Sequence, residues 1–131
     1  MRIAIITADF NEEITSEMEK AAVQYALKRG VKTKTVRVPG SFDMPLAIKK
    51  ALKDKKTRAV AALGAIIKGE TKHDEVIGFA LAKTIHELEL QYDKPVGFGI
   101  IGPGASWKQA KARAKDYGER AVEAAIALSK L

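Results

Sequence analysis

The sequence predicts an α/β fold of three layers, with helices on both faces of a four-stranded parallel sheet. Two observations carry this. Four short strand-like runs, one of them alternating and the others mainly apolar, are interleaved with longer segments of helical periodicity. The third run, Ala59 to Ile67, is apolar from end to end, as a strand buried on both faces requires. Connections between such parallel strands are right-handed crossovers. No internal repeat, low-complexity stretch or Gly/Ser/Pro-rich linker divides the 131 residues, 47% of them hydrophobic, so one domain over residues 1–131 with its own core is expected.

Arg2 to Ala8 reads as the first strand. Asn11 is placed to cap the helix that follows, with Glu12 and Glu13 complementing its dipole, Ile14, Met18, Ala21, Ala22 and Tyr25 at helical spacing, and Gly30 ending it. Lys32 to Val38 alternates, as a strand with one wetter face does, and Pro39-Gly40 stops it. A short helix over Met44 to Leu52 tolerates Pro45 in its first turn. After the Ala59 to Ile67 strand, a long helix is expected from Thr71 to about Gln91, with Ile77, Leu81, Ile85 and Leu88 on one stripe. Pro95 to Ile101 is the fourth strand, and Gly102-Pro103-Gly104 reads as a tight turn. Ser106 and Gln109 form a capping box for a last helix, with a break expected near Gly118.

Composition excludes several kinds of function. With no cysteine, disulfides, thiolate zinc sites and cysteine nucleophiles are out. The longest apolar run, Ala59 to Ile67, falls far short of the roughly 20 residues that span a bilayer, and the first residues lack a signal-peptide core. A cytoplasmic protein without membrane association is expected. The net charge of +7 fits either steering of phosphorylated small molecules or solvated helix faces crowded with Lys and Glu. Basic blocks and Arg interleaved with aromatics are missing, so nucleic acid is not an expected partner.

In open parallel sheets ligands sit beyond the carboxyl ends of the strands, which directs attention to four segments. Asp9-Phe10-Asn11 follows the first strand; on residue type alone Phe10 fits packing more readily than a stacking platform. Ser41 and Asp43, after the second strand, read first as helix caps, though a hydroxyl and a carboxylate are also the groups that hold a polyol. Lys68-Gly69-Glu70-Thr71-Lys72-His73 is the richest stretch. Gly69 permits close approach of the backbone, and the first helical amides with the Thr71 hydroxyl make an anion site. The helix dipole there disfavours an imidazolium at His73, whereas a bound phosphate dianion favours it. His73 therefore stands equally as an acid/base group and as an exposed histidine without chemistry. His86 lies roughly 220° around the same helix and reads as surface; two histidines without converging carboxylates make no zinc site, so no metal is expected. Arg113, after the fourth strand, suits a phosphate bidentately or is simply solvated.

Taken together, Phe10-Asn11, VPGSFDMPLA (Val38 to Ala47), GAIIKGETKHDEV (Gly64 to Val76), PVGFGI (Pro95 to Ile100) and QAKAR (Gln109 to Arg113) resemble the lumazine synthase family almost end to end and in order. The third motif is the most specific. The resemblance implies a flavodoxin-like fold and a cofactor-free condensation of 5-amino-6-(D-ribitylamino)uracil with 3,4-dihydroxy-2-butanone 4-phosphate. It also implies a homo-oligomer built on pentamers, with a 60-subunit shell as the largest form. Carried over, it implies that Phe10 stacks on the pyrimidine and that Ser41, Phe42 and Asp43 hold the ribityl chain. Ala65, Ile66 and Ile67 line the ring edge, Glu70 and Thr71 meet the sugar phosphate, and His73 transfers protons. Phe98 and Arg113 are implied to reach the pocket from a neighbouring subunit, Arg113 on the phosphate.

The chain departs from the family's common pattern at several points. Asp43 replaces a common Glu, Asp74 follows His73 in place of an aromatic, the Gly102-Pro103-Gly104 loop is about one residue longer, and Lys115 and Arg120 are both candidates for a second phosphate cation. The chain opens directly on its first strand, without the leading segment of longer members. Alternatives are a riboflavin synthase of archaeal type, a catalytically silent shell protein of the same fold, and a phosphate-binding regulatory module; the last lacks the acidic cluster its Mg²⁺ needs.

Overall fold

The computed structural model describes residues 1–131. In chain order the elements are β1 (Arg2–Ala8), α1 (Glu12–Lys28), β2 (Lys32–Val38), a 3-10 turn (Ser41–Asp43), α2 (Met44–Lys53), β3 (Ala59–Ile67), α3 (His73–Tyr92), β4 (Val96–Ala105) and α4 (Trp107–Leu128). All four strands are parallel, in the order β2-β1-β3-β4. This is the three-layer α/β architecture expected. One apolar layer joins Ile3, Ile5 and Leu63 of the sheet to Ile14 and Met18 of α1 and Ala114 and Val122 of α4. The other joins Ile6, Val60 and Ile100 to Ile48 of α2 and Leu81 and Ile85 of α3.

Several elements differ from the sequence expectation, each for a physical reason. There is no break at Gly118, because α4 is continuous from Trp107 to Leu128. A Cβ at Gly118 would overlap the carbonyl of Met18, so this glycine lets α1 and α4 approach backbone to backbone. Gly97 does the same for β4 beneath Ala121 of α4. Gly102-Pro103-Gly104 is not a turn ending the strand. With φ of 98° and 87°, the two glycines let β4 bulge and resume pairing, so that Ala65 opposes Ile101 while Ile67 opposes Ala105. The helix expected from Thr71 begins at His73, since the Thr71 hydroxyl accepts the His73 N–H at 3.4 Å in a side-chain turn that precedes the helix.

Asn11 occupies the N-cap position of α1, but its side chain caps nothing. Its backbone is left-handed, with φ 64°, a conformation that Asn tolerates better than most residues. Its amide Nδ2 donates to the carbonyl of Ala65 at 2.8 Å. The location matters, because pairing of β1 with β3 stops at Thr7 and Leu63. Beyond that point the two strands separate and Asn11 bridges the gap.

At the amino ends of the strands, cations bind the connecting loops. Arg2 donates to the Asp54 carboxylate at 2.7 Å and to the Thr57 hydroxyl at 3.2 Å. Lys94 Nζ donates to the carbonyls of Leu52 and Asp54 at 2.9 and 3.1 Å, and Arg58 donates to the Ser129 carbonyl at 3.2 Å.

Two stability measurements check this account. In an open helix Gly→Ala gains about 1 kcal/mol; Gly118→Ala is expected instead to cost about 1–3 kcal/mol, because the methyl must displace the α1 backbone. A raised urea midpoint for this variant would refute the close approach. Asn11→Gly keeps the left-handed backbone and loses the bond to Ala65, at a cost of about 1 kcal/mol. Asn11→Ala adds about 1 kcal/mol or more of backbone strain. Equal midpoints for the two variants would mean that the left-handed conformation is not required.

Candidate active site

Three strand ends are tied into one edge. The Asp9 amide donates to the Val38 carbonyl at 2.8 Å and the Phe10 amide to the Pro39 carbonyl at 2.9 Å, which joins the segments after β1 and β2. Asn11 joins the first of these to β3. Ser41 is buried against β3, and only a glycine at position 64 leaves room for its hydroxyl. Arg37 stiffens the same corner by donating to Asp9 at 2.8 Å and to Glu19 at 3.2 Å. The Asp9 bond is the main cause of a guanidinium pKa pushed above its ordinary value.

The sequence-predicted residues divide into two groups. Phe10, Ser41, Phe42, Asp43, Ala65, Ile66, Ile67, Glu70, Thr71 and His73 all fall at or just beyond the carboxyl ends of β1, β2 and β3. Phe10 is 71% exposed, so it is not the packing residue that its type suggested, and Phe42 is 62% exposed. Asp43 does not cap α2. Its carboxylate turns back to accept the Gly40 amide at 3.0 Å, which closes the 3-10 turn. Glu70, Thr71 and His73 are exposed at the start of α3, while Ala65 and Ile66 are buried within β3.

Phe98 and Arg113 are not brought to this edge. Phe98 opposes Ala62 on the outer strand β4, five residues short of Ile67 and so roughly 16 Å from that strand's carboxyl end. Arg113 stands exposed on α4, across the sheet from α3, with only a long 3.4 Å contact to the Gln109 carbonyl. Its neighbour Lys111 is committed elsewhere. Desolvation lowers the Lys111 pKa, but Glu17 and Glu13 outweigh that and hold it above the ordinary lysine value. Lys115 and Arg120 face Glu119 and Asp116 along the exposed side of the same helix. His86 is exposed on α3, away from the edge.

Two further residues build the edge although their sequence reading was bland. Asn11 read as a cap; its tolerance of a left-handed backbone was the available signal. Asp74 stood out only as a departure from the family's common pattern, yet it is buried and accepts the Gly104 amide at 2.9 Å. Nothing local in the sequence announces a partner 30 residues away. No group of three or more His, Asp, Glu or Cys side chains converges. A cavity of about 510 Å³ lies at the opposite end of the sheet, among Arg58, Glu89, Lys94, Pro95 and Leu128, and shares no residue with this edge.

The chain matches, over residues 1–131, the family described as 6,7-dimethyl-8-ribityllumazine synthase. It is 50% identical over 129 residues to a protein of that name from Saccharolobus solfataricus, covering 98% of this chain and 84% of the relative. It is 49% identical over 132 residues to one from Methanocaldococcus jannaschii, covering 99% and 92%. A third, from Metallosphaera sedula, is 43% identical over 131 residues, covering 99% and 87%. A match along its whole length, with the motif-bearing segments gathered on one edge of a parallel sheet, means that this chain belongs to the 6,7-dimethyl-8-ribityllumazine synthase family.

Proposed function

We propose that residues 1–131 act as one lumazine synthase domain, a transferase of riboflavin biosynthesis. It condenses 5-amino-6-(D-ribitylamino)uracil with 3,4-dihydroxy-2-butanone 4-phosphate to 6,7-dimethyl-8-ribityllumazine, releasing phosphate and two molecules of water. The observation that carries this is membership of the family over the whole chain, with an open aromatic, a hydroxyl-and-carboxylate turn and the start of α3 on one edge.

The amine of the pyrimidine attacks the sugar ketone to give an imine, phosphate leaves, and ring closure with a second dehydration completes the bicycle. Each step is a nucleophilic addition to a carbonyl, a proton transfer or the departure of a leaving group, so positioning and one acid/base group suffice. Phe10 is the stacking surface for the ring, Ala65, Ile66 and Ile67 border it, and Ser41, Phe42 and Asp43 hold the ribityl chain. Glu70 and Thr71 meet the phosphate. Because the Thr71 oxygen already accepts the His73 amide, its O–H is free to donate to an anion. His73, two residues on, exchanges protons with the reacting nitrogen and oxygen atoms.

We further propose that the site is shared between subunits, Phe98 and Arg113 of one chain completing the edge of the next. Support comes from their separation from that edge within one chain, and from the large apolar side chains left in the open at Phe10, Phe42, Val76 and Phe79. The assembly is a closed pentamer, of which a 60-subunit shell is the larger form. No helix is long and apolar enough to cross a membrane; the reaction is assigned to the cytoplasm, since a phosphate dianion does not cross a bilayer unaided.

Mixing both substrates tests the reaction: the lumazine chromophore is expected, and riboflavin made from the lumazine alone would indicate a riboflavin synthase instead. His73→Ala is expected to fold, bind the pyrimidine and lose about 10²-fold in kcat; an unchanged rate across pH 6 to 8 would remove His73 from the mechanism. Arg113→Ala is expected to raise KM for the sugar phosphate selectively. Mixing these two impaired variants under subunit exchange should recover activity. Failure to complement, once exchange is demonstrated, would place the whole site within one chain.

A further inference from the structure

We propose that Asp74 is a positioning residue for the phosphate-binding loop, its carboxylate clamping the bulge of β4 to the first turn of α3. The inference rests on the reading above of Lys68 to His73 as that loop.

An acid in the first turn of a helix ordinarily faces solvent and complements the dipole, as exposed Glu75 does. Asp74 instead points inward and is only 6% exposed. Burying a carboxylate is costly unless a donor meets it; the donor is the Gly104 backbone amide, 2.9 Å from Oδ2. One helical turn on, Gly78 lies under Pro103, where a Cβ would come within 2.7 Å of the ring. The Gly102–Ala105 bulge therefore docks on α3 at two points on one helical face.

The other end of the loop is held by the same bulge. The Lys68 amide donates to the Ala105 carbonyl at 2.8 Å, so the segment from Lys68 to His73 hangs between two anchors on β4. Between them Gly69, Glu70, Thr71 and Lys72 are exposed, and the loop's own tie is the long Thr71 to His73 bond of 3.4 Å. The Asp74 clamp therefore sets where the loop amides, the Thr71 hydroxyl and His73 stand relative to the sheet. Of the surfaces assigned to the pyrimidine, Phe10 and the Ser41–Asp43 turn are tied to β1, β2 and β3 by other bonds, and Ala65, Ile66 and Ile67 are held within β3 itself. Releasing the clamp should spare them.

The test compares the wild-type oligomer with Asp74→Ala and Asp74→Asn. In Asp74→Ala, hydrogen exchange at the Gly104 amide should quicken by about tenfold or more, as for a hydrogen bond worth about 1.4 kcal/mol. The kcat/KM for the sugar phosphate should fall about tenfold or more, with pyrimidine affinity unchanged. Asp74→Asn keeps an oxygen acceptor, so it should hold both quantities within about threefold of wild type. Equal impairment of the two variants, equal loss toward both substrates, or unchanged kcat/KM in folded Asp74→Ala would each overturn the proposal. If Asp74→Ala does not fold, Gly78→Ala pushes on Pro103 from the same face. A selective loss toward the sugar phosphate then supports the clamp, and unaltered kinetics refute it. A wild-type protein that makes no lumazine would refute the proposed reaction instead. The clamp would still be judged by Gly104 exchange and by titration with inorganic phosphate, which Asp74→Ala should bind more weakly and Asp74→Asn as wild type does.

Discussion

From Ala59 to Leu63 the central strand exposes no surface, and that burial on both faces is the constraint on which the rest of the structure depends. A strand so enclosed needs a helical layer on each side. Alternate residues serve the two layers: Ala59, Ala61 and Leu63 face α1 and α4, while Val60 and Ala62 face α2 and α3. Full burial of a side chain such as Leu63 or Val60 contributes about 1.5–3 kcal/mol. The alanines contribute mainly by letting helices come near. The same economy of volume recurs at Gly97 and Gly118, where backbone meets backbone. Close layers and the large side chains packed between them together hold this domain-sized chain.

The parallel sheet also decides where chemistry can occur. Every crossover returns the chain to the same end, so the segments after β1, β2 and β3 collect at one edge. Since β1 and β3 part company after Thr7 and Leu63, backbone groups that would have paired in the ladder become available. Asn11 takes one of them, and its neighbours can face a ligand. The bulge in β4 supports the edge from the far side by meeting both Lys68 and Asp74. Strand separation on one side of β3 and an irregular strand on the other give its carboxyl end a shape that regular pairing could not.

The sequence was legible where the determining interactions are local. The runs Arg2–Ala8, Lys32–Val38 and Ala59–Ile67 match the strands residue for residue, because short β-branched, alternating or continuously apolar runs declare a strand by their own pattern. The Ser106 and Gln109 capping box is also present as read. Legibility failed at glycines. In isolation Gly118 and the Gly102-Pro103-Gly104 stretch signal breaks, whereas here they admit a neighbouring backbone and a bulge. It failed likewise for Asn11 and Asp74, whose partners are 54 and 30 residues distant. The gathering of the other site residues followed from topology alone. Phe98 and Arg113 lie apart from that edge within one chain, and the proposal that a neighbouring subunit brings them to it has no local signal in the sequence.

The cation-laced loops at the amino ends of the strands have a different significance. Arg2, Arg58 and Lys94 satisfy carbonyls and a carboxylate there, on the side of the sheet remote from Phe10 and His73. The bonds that close the connecting loops and the segments gathered beyond β1, β2 and β3 therefore sit at opposite ends of the sheet. Substitutions around Asp54, Thr57 and Pro95 can loosen or tighten one end while the groups at the other keep their spacing.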